Sequence, residues 1–177
     1  MKKILILQGG LNEEHKVSIN TANEVAKVLT KLKIDFIRFT VNPKTFVRDI
    51  SRFSNKHICF NSLHGSFGED GKIQKILKKK GFSFPHSNQN SSINCFNKIK
   101  SKEIIKKYKI LTPSHKLVKI KDIDHKYLEK ISIKFKKFVL KPVSSGSSYG
   151  LKVIKSKKDL TFFCKEIQKF KRNFNYN

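Results

Sequence analysis

Four apolar residues in a row, Ile4-Leu5-Ile6-Leu7, lead through Gln8 into Gly9-Gly10. Such a run leaves no face for solvent, so it belongs to a strand covered on both sides, as in the middle of a parallel sheet. The paired glycines end it. Val17, Thr21, Val25, Val28 and Leu32 then recur three to four apart, an amphipathic helix. Phe36-Ile37-Arg38-Phe39 reads as a second strand and Ile58-Cys59-Phe60 as a third. Ile73, Ile76 and Leu77 mark the next helix, closed by Gly81, and Phe82 to Pro85 a short strand. This alternation predicts an α/β architecture built on a parallel sheet.

The asparagine- and serine-rich stretch Ser87–Asn94 marks a boundary. Beyond it the pattern predicts a helix near Lys98–Tyr108, a turn at Thr112-Pro113, a strand over Ser114–Val118 and a helix near Asp124–Ile131. A strand–loop–strand follows around Gly146, then a helix over Lys157–Phe170. We therefore expect one domain at 1–94 and a second at 95–177, the latter small and ending in the polar tail Lys-Arg-Asn-Phe-Asn-Tyr-Asn.

Charge invites a nucleic-acid reading: 39 lysines and arginines against 13 acids give a net +26. The lysines are spread over the whole chain, however. Arginine, the better reader of bases, occurs only at Arg38, Arg48, Arg52 and Arg172. Lysine also arrives with abundant isoleucine, asparagine and phenylalanine, the residues of A/T-rich codons, so a coding bias accounts for the charge. We expect diffuse, salt-sensitive sticking to nucleic acid and no specific nucleic-acid partner. Cys59, Cys95 and Cys164 are odd in number and far apart, without a Cys-x-x-Cys or Cys/His cluster, so neither a disulfide framework nor a zinc site is expected. No apolar run approaches the roughly 20 residues of a membrane span. The apolar run after Lys2-Lys3 is too short for a signal-peptide core, so we expect no membrane partner and a cytoplasmic location.

Three segments carry chemistry. The first strand is followed by Gly9-Gly10-Leu11-Asn12-Glu13-Glu14-His15-Lys16-Val17-Ser18. The third is followed by Leu63-His64-Gly65-Ser66-Phe67-Gly68-Glu69-Asp70-Gly71-Lys72-Ile73-Gln74. The last is Lys141-Pro142-Val143-Ser144-Ser145-Gly146-Ser147-Ser148-Tyr149-Gly150, a small-residue loop between apolar runs. A loop of that kind folds closely over polyphosphate and offers it backbone N–H groups, with a lysine as a point charge. In this order the three segments resemble the D-alanine–D-alanine ligases of the ATP-grasp family, over essentially the whole chain. The His-Gly…Gly-Glu-Asp-Gly-x-x-Gln pattern is the most specific part.

The resemblance implies a Rossmann-like, pre-ATP-grasp parallel-sheet domain that binds the first substrate, followed by an incomplete ATP-grasp domain. It implies ATP-dependent joining of two D-alanines through an acyl phosphate, in peptidoglycan synthesis, with Mg2+ bridging the nucleotide phosphates. By position, Glu14 would hold the first substrate's ammonium and His64 would stand near its carboxylate. Ser147 would hydrogen-bond Glu14, while Lys98, Lys141, Gly146 and Ser148 would contact ATP phosphates. Glu69 and Asp70 would shape their loop and start the next helix. On residue chemistry alone, Glu14 is equally a helix-start acid favoured by the dipole, and His64 a loop histidine paired with Asp70 or backbone. Four positions depart from the family pattern: Asn12 for serine, Asn97 for aspartate, Ser145 for glutamate and Tyr149 for a small aliphatic residue. The family's metal-binding acids and its tetrahedral-intermediate arginine find no counterpart up to residue 177, so we expect no metal site within this chain. A homodimer through the N-terminal domain, a D-lactate-type second substrate and a non-catalytic binding module are the remaining readings.

Overall fold

The computed structural model describes residues 3–170; the polar tail at 171–177 lies outside them. Two compact units emerge, one of residues up to 104 together with 143–147, the other of 105–142 together with the residues from 148 on. No helix among the described residues is long and apolar enough to cross a membrane.

The first unit is built on a three-stranded parallel sheet in the order β2-β1-β3, with β1 at Ile4–Gly9, β2 at Phe36–Val41 and β3 at Ile58–Asn61. In register, Leu5 stands between Ile37 and Cys59, and Leu7 between Phe39 and Asn61. As expected for a strand covered on both faces, Leu5, Ile6 and Leu7 are all fully buried. Leu5 and Leu7 point into a core with Phe46, Ile50, Ile73 and Leu77, contributed by α2 (Phe46–Asp49), the 3-10 turn after it and α3 (Lys72–Lys79). Ile6 points the other way, against Ala22 and Ala26 of α1 (His15–Lys31).

The helix α1 is where the spacing predicts it, but its buried face is not the one the bulky residues suggest. Ser18, Ala22 and Ala26 lie against the sheet, whereas Val17, Val28 and Leu32 face solvent. Small side chains let the helix approach the strands closely, and that outweighs burying three larger ones. Helix α3 ends as Gly81 predicts: Gly81 takes a left-handed φ of +75°, its N–H donates to Lys78 O and that of Phe82 to Leu77 O. The strand expected over Phe82–Pro85 shrinks to one bridge, Ser83 beside Ile58. The stretch Ser87–Asn94 runs into a helix, α4 (Gln89–Phe96), with Asn88 accepting from Ser91 N–H as its cap. Helix α5 (Lys98–Lys107) follows, and Asn97 Oδ1 accepts from Ile99 and Lys100 N–H, 3.0 Å each. An asparagine there fills the capping role that an aspartate would.

The second unit holds α6 (His125–Phe135), the antiparallel pair β4 (Phe138–Leu140) and β5 (Lys152–Ile154), and α7 (Lys157–Phe170). Its core is Ile123, Leu128, Ile154, Leu160, Phe163 and Ile167. Asp124 caps α6 by accepting from Tyr127 N–H at 2.7 Å. No strand forms over 114–118: Ser114 to Leu117 are exposed, and a strand pairs only where a neighbour offers its backbone.

Candidate functional site

In the β2-β1-β3 sheet the chain leaves β1 for one side and reaches β3 on the other. The carboxyl ends of β1 and β3 therefore flank a switch in direction, where open α/β sheets leave a crevice. Two loops meet there, Gly10–Glu14 after β1 and Ser62–Asp70 after β3. Asn12 joins them. Its Oδ1 accepts from Glu14 N–H at 3.0 Å, while its Nδ2 donates to His64 O at 2.8 Å and Ser66 O at 3.1 Å. A serine at this position is too short to span both loops in this way.

Gly9 and Gly10 take φ of +92° and +90°, which turns the chain sharply off β1. The turn is held by Ser18 Oγ, which accepts from Gly9 N–H at 2.8 Å, and by His15 Nδ1, 2.7 Å from Gly10 O. Glu14 then forms the N-cap of α1, and its carbonyl accepts from Ser18 N–H. Its side chain turns inward and is only 3% exposed. Oε1 accepts a short hydrogen bond from Ser147 Oγ. Oε2 is buried with no hydrogen-bond partner among the described residues.

Two glycine backbones pack closely against this carboxylate. A β-carbon on Gly65, which sits at φ +67°, would overlap Glu14 Oε2, and one on Gly146 would lie 3.2 Å from both oxygens. Gly146 would also come 3.5 Å from Glu69 Oε2. The structure thus brings Glu14, His64, Gly146 and Ser147 into one unit, with Lys98, whose Nζ donates to Ser145 O at 2.6 Å. Lys141 and Ser148 fall in the second unit.

His64 sits between a helix and its own loop. Its Nε2 is 2.9 Å from Thr21 Oγ1 on α1, and its Nδ1 is 3.7 Å from Glu69 Oε1. Glu69 Oε2 accepts from Gly65 N–H at 3.0 Å. Helix initiation falls to Asp70 instead, which accepts from Lys72 N–H at 3.1 Å. Glu69 thus shapes its loop, as the resemblance implies; Thr21 and Asn12 are the site residues whose roles sequence reasoning passes over. Asn12 carried a readable signal, an asparagine two residues ahead of the N–H it holds. Thr21 falls within the apolar stripe of α1 and carries no separate signal.

Deeper support comes from the end of β3. Asn61 N–H donates to His86 Nε2 at 2.8 Å, and Asn61 Nδ2 to Gly68 O at 2.9 Å. Burial holds the His86 imidazole below its ordinary value, which suits a ring that must accept a hydrogen bond. Cys59, on the same strand, is buried and its thiol is pushed up to about 12, so it is inert packing. Among the described residues no three His, Cys, Asp or Glu side chains gather as a metal site.

No family model matches the chain. Individual relatives do. The D-alanine–D-alanine ligase of Pelagibacter ubique is 41% identical over 152 residues, which is 83% of this chain and 48% of that protein. Among solved structures, the D-alanine–D-alanine ligase of Bacillus anthracis superposes with a TM-score of 0.76 at 30% identity, over 96% of this chain and 55% of that one. The same enzyme complexed with ATP gives 0.74, again at 30% identity and over 96% of this chain and 56% of that one. The chain thus spans about half the length of the relatives and structures it matches.

Proposed function

We infer that this chain, a homologue of the D-alanine–D-alanine ligases over the N-terminal part of their fold, builds the first-substrate side of such a ligase. The reaction is ATP-dependent. The carboxylate of one D-alanine takes the γ-phosphoryl group to give an acyl phosphate, the amine of a second D-alanine attacks that carbonyl, and phosphate leaves with its electron pair. The product, D-alanyl-D-alanine, serves peptidoglycan synthesis.

The observation that carries this reading is Glu14. Burying an ionised carboxylate with one oxygen unpartnered costs several kcal/mol unless a cation arrives. Ser147 occupies Oε1 and so orients the group, leaving Oε2 for an ammonium. The backbones of Gly65 and Gly146 close over the carboxylate, so an ammonium reaches Oε2 only when one of these loops shifts. A zwitterionic amino acid seated on Glu14 supplies the cation. His64 is the candidate to meet its carboxylate, where an imidazole steadies negative charge developing in the transition state.

Lys98 is the candidate phosphate contact in the first unit, and Lys141 with the Ser148 backbone in the second. Mg2+ belongs to this chemistry as a clamp on the transferring phosphate. By the resemblance, its ligands would come from the other half of the ligase fold.

The test is a titration of D-alanine into the 15N-labelled chain. We expect amide shifts centred on Glu14, Gly65 and Gly146, weaker shifts with L-alanine, and their loss in Glu14→Gln. Equal responses in the Glu14→Gln chain, or none in the native one, would overturn the assignment.

A further inference from the structure

His64 is held from two sides by groups whose roles are unequal. A threonine inside a helix ordinarily returns its hydroxyl proton to the carbonyl four residues back, as Thr30 does to Ala26 O at 2.9 Å and Thr161 to Lys157 O at 3.1 Å. Thr21 faces the imidazole instead, 2.9 Å from Nε2. It lies two turns beyond Glu14 on α1, so one helix carries both the ammonium-side carboxylate and the group that meets His64.

A neutral imidazole has one N–H and one lone pair, and its partners decide which nitrogen holds the proton. Glu69 is anchored through Oε2 to Gly65 N–H, which leaves Oε1 turned to Nδ1 at 3.7 Å. A carboxylate only accepts, so the proton belongs on Nδ1. Nε2 is then an acceptor, and the Thr21 hydroxyl is its donor. We propose that Glu69 fixes His64 in the Nδ1-protonated tautomer, while Thr21 is a positioning residue whose hydroxyl holds the ring in a single orientation. This rests on the reading of His64 as a substrate-facing group. The hydroxyl serves either charge state: it donates to neutral Nε2 and accepts from Nε2–H once the ring takes a proton. Glu69 faces the ring from its own loop, and Glu14 reaches the adjacent Gly65 from the start of α1.

The experiment is a long-range 1H–15N spectrum of the histidine side chains at about pH 8.5, above the ordinary histidine range. It is run without D-alanine, so its outcome is separate from that of the D-alanine titration. We expect His64 to be mainly Nδ1–H, the minority form of a histidine in water. Thr21→Val keeps the side-chain shape and removes the hydroxyl. It should abolish the single set of nuclear Overhauser contacts between the His64 ring and α1, and Thr21→Ser should restore it. Glu69→Gln, on the more exposed side of the ring, should lower the Nδ1–H to Nε2–H ratio about fivefold, the worth of one ordinary hydrogen bond, and gives a reading even if Thr21→Val fails to fold. A native protein with mainly Nε2–H His64, a ratio unmoved in Glu69→Gln, or ring contacts unchanged in folded Thr21→Val would overturn the proposal.

Discussion

At the scale of single residues, the site depends on groups chosen for what they lack. Gly65 and Gly146 lack a β-carbon, Glu14 Oε2 lacks a hydrogen-bond partner among the described residues, and His86 Nε2 lacks a proton because it accepts from Asn61 N–H. The last has a consequence for stability. As pH falls through about 6.5, the unfolded chain protonates at this histidine first, because in the folded chain Nε2 is committed to Asn61 N–H and burial disfavours the cation. Over that window the unfolded state binds more protons, so stability rises with pH. The contribution is present above the unfolded value and is lost as pH drops through the lowered folded one. We expect the denaturation midpoint of the first unit to fall as pH drops below about 6.5. His86→Gln, which does not titrate, should flatten that part of the profile; an unchanged slope in the variant would refute the link. Asp49 acts in a separate window. The Thr45 hydroxyl, with Arg52 and Arg48, holds its carboxyl at about 2 against an ordinary 3.8, so its contribution disappears only below about pH 4.

At the scale of elements, much of the first unit was legible because local and global preferences agree. The apolar run of β1, the glycine turn and the Gly81 stop each follow from one strong signal. Legibility failed where a residue's neighbour decides. The face of α1 was misread because apolar periodicity weighs bulk, whereas packing on a sheet favoured Ser18, Ala22 and Ala26. The strand expected over 114–118 had the composition of a strand but no edge to pair with. Asn12 and Thr21 took roles that only become visible once two loops and a helix are brought together. Two helix ends show the opposite case, in which the fold overrides the residue. Lys33 after α1 and Lys109 after α5 take left-handed φ of +55° and +58°. Each closes a motif like that at Gly81: Ile34 N–H reaches Leu29 O and Ile110 N–H reaches Ile105 O. A side chain there costs about 1 kcal/mol that glycine avoids. We expect Lys33→Gly and Lys109→Gly each to stabilise the chain by about 1 kcal/mol in chemical denaturation. A control, Lys31→Gly inside α1, should destabilise by a similar amount. Loss of stability in both closing variants would show that the lysine side chains contribute more than their backbone strain costs.

At the scale of the whole molecule, the sequence places one boundary along the chain, but a single cut cannot express the packing of residues 143–147. They belong with the first unit, through Lys98 Nζ to Ser145 O and Ser147 Oγ to Glu14, residues 47 and 133 positions apart. Such pairings leave no periodic trace in sequence. The two units also differ in how much apolar surface each encloses. The first covers a three-stranded sheet on both faces, with Leu5, Ile6, Leu7, Phe46, Ile50, Cys59 and Ile73 fully buried. The second rests six buried apolar residues on two strands of three residues each, a sheet that is marginal by itself. It also leaves Leu111 98%, Ile133 83% and Phe162 60% exposed. Burial at about 25 cal/mol per Å2 is the main term that opposes chain entropy, so the unit with the smaller core opens first. We expect native-state amide exchange to be slowest at Leu5, Leu7 and Cys59 and at least tenfold faster at Val139 and Val153, with mild denaturant releasing α6 and α7 before α1. Equal protection in β1 and β4 would mean that the smaller core is stabilised by something other than the apolar burial described here, and the ranking of the two units would have to be reversed or abandoned.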